Sequence, residues 1–162
     1  MEIGIINAFS EEIDGGNPAA VYLGKQLPNE ATMPQLAGKI GFSETAFVKQ
    51  LGHCNFYIRW FTPNSEAPIC GHATIAAAHF IWQKGVATED RELIFHSASG
   101  NFTLSRTGNW INLDFPAFDV ISGIDAELLQ PVIAKQPLFF GFSENCLFAE
   151  FDDAEWLSAC SP

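Results

Sequence analysis

The sequence predicts an α+β protein in which strongly curved strands, forming a sheet or β-barrel, wrap around one buried central helix. Most of the chain falls into short β-rich apolar segments separated by clusters of Gly, Pro and Asn. By contrast, residues 73–82 are Ala-rich and apolar on every side, and a helix without a polar face must be enclosed by the rest of the fold. With 48% hydrophobic and 17% charged residues, the chain has enough apolar surface for such a core.

The first strands of this sheet are predicted at residues 3–9 and 19–23, on either side of a turn cluster at residues 14–18. Apolar residues at helical spacing predict a helix over residues 33–40, and Gly41 is a suitable stop. Further strands are predicted at residues 45–48, 55–61 and 92–96.

The later part of the chain begins with a predicted hairpin between Phe102 and Leu113, which turns at residues 107–109. A connection follows, and then we expect a helix over residues 125–134. A strand over residues 146–151 and a short helix over residues 153–159, capped by Asp153, complete the tail. We therefore divide the chain into residues 1–117 and residues 118–162.

The charge balance excludes two classes of partner. Eight Lys and Arg against 19 Asp and Glu give a net charge of −11, which repels phosphate backbones and anionic lipid, so we expect neither nucleic acid nor a membrane surface. The four cysteines form no CxxC pair, and no basic leader or long apolar span is present. These features predict a soluble, cytoplasmic protein with reduced thiols. An anionic substrate would need a local positive potential.

The segment Cys70-Gly71-His72-Ala73-Thr74, at the start of the predicted buried helix, is the first candidate site. Unpaired N–H groups and the peptide dipole make a helix N-terminus attractive to anions without any Lys or Arg. Gly71 would let a ligand approach the backbone, and His72 would present an imidazole beside it. The alternative is that Gly71 is only a turn residue and His72 a buried structural histidine.

The second candidate is Ser43-Glu44-Thr45, flanked by Phe42 and Phe47. A carboxylate among aromatic side chains loses solvation when it is ionised, which suits it to general acid or base catalysis. The alternative is an exposed glutamate at the start of a strand.

Five segments occur in the order and spacing of the phenazine biosynthesis-like (PhzF-type) isomerases, which the chain therefore resembles. They are Asn7-Ala8-Phe9, Gly16-Asn17-Pro18-Ala19-Ala20-Val21, Ser43-Glu44-Thr45-Ala46-Phe47-Val48, Arg59-Trp60-Phe61-Thr62-Pro63 and Cys70-Gly71-His72-Ala73-Thr74. The resemblance covers residues 1–115 closely and residues 137–160 loosely. It implies the fold of the diaminopimelate epimerases, with two similar halves, each a β-barrel around a central helix, and the active site between them.

The resemblance also implies cofactor-independent proton transfer at carbon. Glu44 would act as the acid and base that moves a proton between carbons of a small, dihydro-hydroxyanthranilate-like carboxylate in a biosynthetic process, with His72 as a second catalytic residue. The residues expected to bind the substrate are Asn17, Ser43, Gly71, His72 and Ala73. Neither a cofactor nor a metal is expected.

Three other kinds of site can be considered: a thiol base, a zinc site and a serine hydrolase. Cys70 occupies the position at which racemase and epimerase relatives carry one of two catalytic thiols, so it could be a thiol base. A zinc set of His53, Cys54, Cys70 and His72 matches no common ligand spacing. Ser43 lies outside a GxSxG elbow, which disfavours a serine hydrolase.

The family's second half contributes another Gly-rich helix start and an acidic partner, and neither is recognisable in residues 118–162. We therefore expect an incomplete second half, exposed sheet edges and a homodimer that covers them. The alternative function is that of a non-catalytic, truncated module that pairs with itself or binds a small carboxylate.

Overall fold

The fold of this chain is described by a computed structural model for residues 1–12, 15–122, 135–143 and 146–160. Two compact units are present, Met1–Phe115 and Pro116–Pro162. Within the described residues, the first unit contains an eight-stranded sheet and the second a three-stranded sheet.

Two helices interrupt the strands of the first unit, which explains its mixed sheet. Its elements are β1 (Glu2–Ala8), β2 (Asn17–Gly24), α1 (Thr32–Ile40), β3 (Thr45–Gln50), β4 (Asn55–Phe61), β5 (Glu66–Ala67), α2 (Gly71–Gln83), β6 (Leu93–Ser97), β7 (Gly100–Thr107) and β8 (Trp110–Leu113). The sheet order is β1-β2-β3-β4-β6-β7-β8, with β5 on β4. The parallel pairs β2/β3 and β4/β6 are joined through α1 and α2, because parallel neighbours need a crossover connection.

Helix α2 is enclosed by the curled sheet, as the composition of residues 73–82 predicts. Its fully buried side chains include Ala73, Ala76, Ala77, Ala78 and Ile81. They pack with inward residues of β2, β3, β4, β6 and β7 in one core. The predicted α+β half-barrel around a buried helix is therefore confirmed.

Helix α1 packs on the other face of the sheet. Because side chains alternate along a strand, Phe47 of β3 joins Met33 and Ala37 of α1, whereas Ala46 joins the core around α2. The helix ends where predicted, with Gly41 in the left-handed region at φ 79° and its N–H donating to the Ala37 carbonyl at 2.9 Å.

The predicted turn at residues 14–18 is wrong at its second half, because Asn17 and Pro18 open β2. Pro18 lies opposite Asn7 of β1, while the pairing of β2 with β3 begins only at Ala20. A proline is tolerated there because no second neighbouring strand needs its missing N–H. Asp14 lies outside the described residues.

The β7/β8 hairpin is confirmed: Thr107 pairs with Trp110 around Gly108, whose φ is 59°. The two-residue strand β5, Glu66–Ala67, is an addition to the prediction. It adds one short antiparallel rung to β4 just before α2 begins.

The second unit contains β9 (Ile121–Ser122), β10 (Phe139–Ser143), β11 (Cys146–Glu150) and α3 (Ala154–Ala159). The predicted strand and short helix at the end are confirmed, and the Asp153 side chain accepts a hydrogen bond from the Trp156 N–H at 2.8 Å. Strands β9 and β10 were not predicted; Ser122, which was assigned to a connection, ends β9. The predicted helix over residues 125–134 lies outside the described residues. In the described ranges no helix has the length and apolar character to cross a membrane.

Candidate active site at the start of helix α2

The start of α2 lies beside the residue that precedes β3. Cys70 is the extended N-cap residue of the helix, and His72 follows in the first turn. The Nε2 atom of His72 lies 3.5 Å from Oε2 of Glu44, and its Nδ1 atom lies 3.3 Å from Sγ of Cys70. The imidazole therefore lies between a carboxylate and a thiol, and we refer to Glu44, Cys70 and His72 as the trio.

The environment of His72 favours its neutral form. Burial lowers the pKa of His72 below its ordinary value, and the negative charge of Glu44 opposes this effect only in part. Nε2 is buried without a hydrogen-bond partner in the described part of the chain, since the contact to Glu44 is too long for a firm bond. The side chain of His72 is 11% exposed and that of Glu44 is 22% exposed, so both remain within reach of a small ligand.

The thiol of Cys70 is held in its protonated form. Burial raises the pKa of Cys70 to about 11, with a further increase from the Glu44 charge, against the lowering effect of the Ala73 and His72 backbone N–H groups. Cys70 is therefore a neutral thiol at physiological pH in this geometry. A thiolate base would need a further positive charge beside it.

Two buried side chains fix the N-cap of α2, and sequence analysis assigned neither of them to the site. The Thr74 hydroxyl donates a hydrogen bond to the Cys70 carbonyl at 2.6 Å, and the Trp60 indole N–H donates to the Thr74 hydroxyl at 3.0 Å. Both residues belong to segments that resemble the PhzF-type isomerases, and this resemblance was the only sign in the sequence that they belong near the site. The chain of two bonds ties the helix start to β4.

The other predicted site residues form no bond to the trio among the described residues. The side chain of Ala73 is fully buried in the core, so only its backbone can face a ligand. A Cβ on Gly71 would lie 3.8 Å from the Phe115 ring, which is an ordinary contact. Ser43 is exposed and Asn17 is half-buried at the start of β2; no hydrogen bond or ion pair within the described ranges joins either to the trio.

The donor atoms of the trio are close enough to be considered as metal ligands. One ligand atom from each of Glu44, Cys70 and His72 lies within 4.8 Å of the others. His53 and Cys54 do not belong to this group; they contact each other at 3.3 Å between Nδ1 and Sγ. The four-residue zinc set weighed above is thus not assembled in the described part of the chain.

A groove of about 920 Å³ has none of the trio among its lining residues. Residues of β1 and β8 line the groove, together with His79 of α2 and Arg106 of β7. These two strands are the ends of the sheet order, so the groove marks the place where the sheet stays open. Its lining includes Glu11 and His79 but no cysteine.

Comparison with known proteins identifies the relatives of this chain. The sequence profile of the phenazine biosynthesis-like (PhzC-PhzF) proteins matches residues 6–134. An uncharacterized isomerase of Halalkalibacterium halodurans is 33% identical over 98% of this chain and 60% of its own length. An uncharacterized isomerase of Pseudomonas aeruginosa is 36% identical over 100% of this chain and 61% of its own length.

Solved structures agree with the sequence relatives. A PhzF-family protein of Enterococcus faecalis superimposes with a TM-score of 0.85 at 31% identity, over 99% of this chain and 60% of that one. A predicted epimerase of Pseudomonas aeruginosa, with a TM-score of 0.70 at 20% identity, over 83% of this chain and 50% of that one, shares the fold. The chain spans about 60% of the length of the isomerases that it matches. With its profile match, its isomerase relatives and its half-barrel around α2, the chain belongs to the phenazine biosynthesis-like (PhzC-PhzF) family.

Proposed function

We propose that this chain forms one wall of a cofactor-independent isomerase site in which Glu44 moves a proton between two carbons of a small carboxylate. The observation that carries the proposal is the 3.5 Å approach of Glu44 to His72 at the N-terminus of α2. The substrate class is a dihydro-hydroxyanthranilate-like acid, in keeping with the family. Asn17, Ser43 and the backbone of Gly71, His72 and Ala73 would bind it.

The reaction follows from the charges at the helix start. The Glu44 carboxylate removes a proton from a carbon conjugated to the substrate carboxyl group, and the resulting negative charge spreads onto that group. The N–H groups and dipole of the helix start stabilise this charge, and one such preorganised donor is worth about 3 kcal/mol in the transition state. Glu44 then returns the proton to another carbon, while the neutral imidazole of His72, 3.5 Å from the carboxylate, lines the site beside it.

A second wall would complete the site. In proteins of the relatives' length it would come from the remaining part of the chain; for these 162 residues alone, a homodimer is the arrangement that we propose. The second candidate function is a non-catalytic module that binds a small carboxylate or pairs with itself. It is favoured by the N-terminus of α2, whose backbone N–H groups can bind an anion without any proton transfer.

Deuterium exchange tests the proposal directly. The protein is incubated in D₂O with a panel of small unsaturated carboxylates, and loss of carbon-bound hydrogen is followed by proton NMR. We expect exchange with the wild type and a fall of at least about 100-fold in Glu44→Gln, since general acid-base catalysis typically contributes 10²–10⁴-fold. Glu92→Gln, which changes an exposed glutamate elsewhere, should exchange like the wild type.

Two results would count against the isomerase. Equal exchange rates in wild type and Glu44→Gln would remove Glu44 from the mechanism. Carboxylate binding without exchange, in protein whose dimer is intact by light scattering, would support the non-catalytic module instead.

A further inference from the structure

The trio presents sulfur, nitrogen and oxygen donors, a combination that borderline-soft divalent cations accept. In tetrahedral zinc sites the metal–ligand distances of 2.0–2.3 Å place neighbouring donors about 3.3–3.7 Å apart. Here His72 Nε2 and Glu44 Oε2 are 3.5 Å apart, which matches that spacing, whereas Cys70 Sγ lies 3.3 Å from the other ring nitrogen, Nδ1, so that a cation on Nε2 requires the thiol to turn toward it. One donor atom from each residue lies within 4.8 Å of the others, so the three side chains come within reach of one cation once the Cys70 side chain has rotated.

A second observation points to an unfilled position beside the imidazole. His72 Nε2 is buried, faces the Glu44 carboxylate and has no hydrogen-bond partner among the described residues. A buried polar nitrogen without a partner costs free energy that a bound ligand can recover. A cation bound to Nε2 and the carboxylate oxygen would supply that partner, with the sulfur of Cys70 as the third donor.

From this geometry we propose that Glu44, Cys70 and His72 bind a thiophilic divalent cation of the Zn²⁺ class, and that the bound cation blocks the site. The cation replaces the thiol proton of Cys70, which leaves to solvent, so that sulfur, carboxylate and neutral imidazole balance its two positive charges. Three protein donors leave one coordination position for water. The protein's net charge of −11 favours the approach of a cation.

The local structure supports this donor set. The Trp60–Thr74–Cys70 hydrogen bonds hold the thiol-bearing residue at a fixed place, which reduces the ordering required on binding. The remaining exposure of Glu44 and His72 leaves an entry path.

The inhibitory consequence rests on the proposed function, whereas the binding itself does not. A cation on Glu44 occupies the lone pairs that would accept the substrate proton. We therefore expect Zn²⁺ to stop any deuterium exchange, and chelation to restore it. Binding is tested separately by a spectroscopic signal that requires neither substrate nor turnover.

Cobalt substitution provides this signal. Co²⁺ is titrated into the full 162-residue protein under anaerobic, reducing conditions. We expect a sulfur-to-cobalt charge-transfer band that saturates near one equivalent and is removed by Zn²⁺. Cys70→Ser should abolish the band, and Glu44→Gln and His72→Ala should each weaken Co²⁺ binding by about tenfold or more.

The chain offers a matched control in His53 and Cys54, which contact each other at the same 3.3 Å but are not joined by a carboxylate. Cys54→Ser should keep the band. Absence of the band in the wild type, its survival in Cys70→Ser, or unchanged affinity in both Glu44→Gln and His72→Ala would overturn the proposal.

A measurement on the unaltered protein covers the case in which a variant fails to fold. The histidine ring signals of the wild type are followed by NMR as Zn²⁺ is added. We expect the His72 signals to change at one equivalent, while those of His79 and His96 stay in place. Changes at His53 without changes at His72 would contradict the site.

Discussion

At the scale of the residue, the candidate site depends on a neutral imidazole placed between a thiol and a carboxylate. His72 is kept neutral chiefly by burial, and Cys70 stays a thiol because burial and the Glu44 charge both oppose its ionisation. This arrangement leaves the Glu44 carboxylate as the group that is suited to accept and return a proton, with the imidazole beside it.

The first prediction concerns Gly71. Because a Cβ there would make only an ordinary 3.8 Å contact with Phe115, Gly71→Ala should fold, and its better helix propensity should leave the free energy of unfolding equal or higher by up to about 1 kcal/mol. The added methyl group should nevertheless hinder a ligand at the helix start. We expect weaker carboxylate binding by calorimetry with unchanged or improved thermal stability.

Gly38→Ala is the control for this prediction. Gly38 lies inside α1, away from the trio, and a Cβ there would meet the Pro63 carbonyl at 3.4 Å. The substitution changes helix propensity in the same way and should leave binding intact. Equal binding by both alanine variants would show that the backbone at Gly71 is not part of the ligand site.

The approach of Glu44 to His72 could be expected from two motifs that occur together in one family, but not from their spacing alone. The protonation state of Cys70 could not be predicted. A helix N-terminus ordinarily favours a thiolate, and only the tertiary structure reveals that burial and a nearby carboxylate outweigh it. The hydrogen-bond partners of Thr74 could not be predicted either, because a hydrogen bond across the core leaves no local pattern in the sequence.

At the scale of the element, the start of α2 is tied to β4 by buried hydrogen bonds. Trp60 lies in the strand, Thr74 in the helix, and the Cys70 carbonyl at the N-cap. The helix is otherwise held by apolar packing, which fixes its axis better than its rotation or its end. We attribute the position of the N-cap to this polar connection.

Thr74→Val tests that connection. Valine keeps the shape but leaves the buried Trp60 indole N–H without an acceptor, so we expect a loss of about 1–3 kcal/mol in the free energy of unfolding. The Trp60 indole signal and the amide signals of Gly71 and His72 should also shift in NMR spectra. Thr74→Ser retains the hydroxyl group and should keep the indole signal in place; if both variants shift it equally, the hydroxyl does not fix the helix start.

The ion pair between β4 and β5 gives a prediction about pH. Arg59 donates to both carboxylate oxygens of Glu66 at 2.7 Å and holds the pKa of Glu66 below its ordinary value. A lowered folded-state pKa adds stability that is present above the unfolded pKa and lost as the pH falls through the folded one. Because the pair is partly exposed, Glu66→Gln should cost no more than about 1 kcal/mol at neutral pH.

Denaturant unfolding at several pH values measures this difference. The gap between the wild type and Glu66→Gln should shrink as the pH is lowered into the acidic range, whereas Glu92→Gln should show no such gap. A gap that persists at acidic pH would assign the effect to packing rather than to charge.

Helix α2 shows which elements the sequence could predict. An Ala-rich segment with no polar side has few alternatives to a buried helix, and α2 was expected for that reason. Pro18 misled the prediction because proline usually marks a turn, and it is accepted where β2 has one neighbour. Strand β10 was not predicted; its Gly141 allows a close approach, since a Cβ there would lie 2.5 Å from Val120.

At the scale of the whole molecule, the sheet of the first unit has two end strands. β1 exposes Ile5, which is 62% accessible, and β8 exposes Trp110, which is 77% accessible. An uncovered apolar edge is a template for pairing with another chain. We therefore expect the protein to associate with itself through the β1 edge, in agreement with the proposed homodimer.

Ile5→Lys tests the association, since a lysine on an edge strand opposes strand pairing. Light scattering over a range of concentrations should show a lower mass for this variant than for the wild type. Leu51→Lys adds the same charge at an exposed apolar residue between β3 and β4, and it should associate like the wild type. A wild type that remains monomeric at high concentration would remove this edge as an interface.

The most direct test of the ligand site is an amide NMR titration with a small unsaturated carboxylate. The helix start and the groove that contains His79 and Arg106 are both candidate binding places, and their signals can be followed in one experiment. We predict that the amide signals of Gly71, His72 and Ala73 move together and saturate. Changes confined to the residues of the groove, with the start of α2 unaffected, would contradict the assignment of the active site.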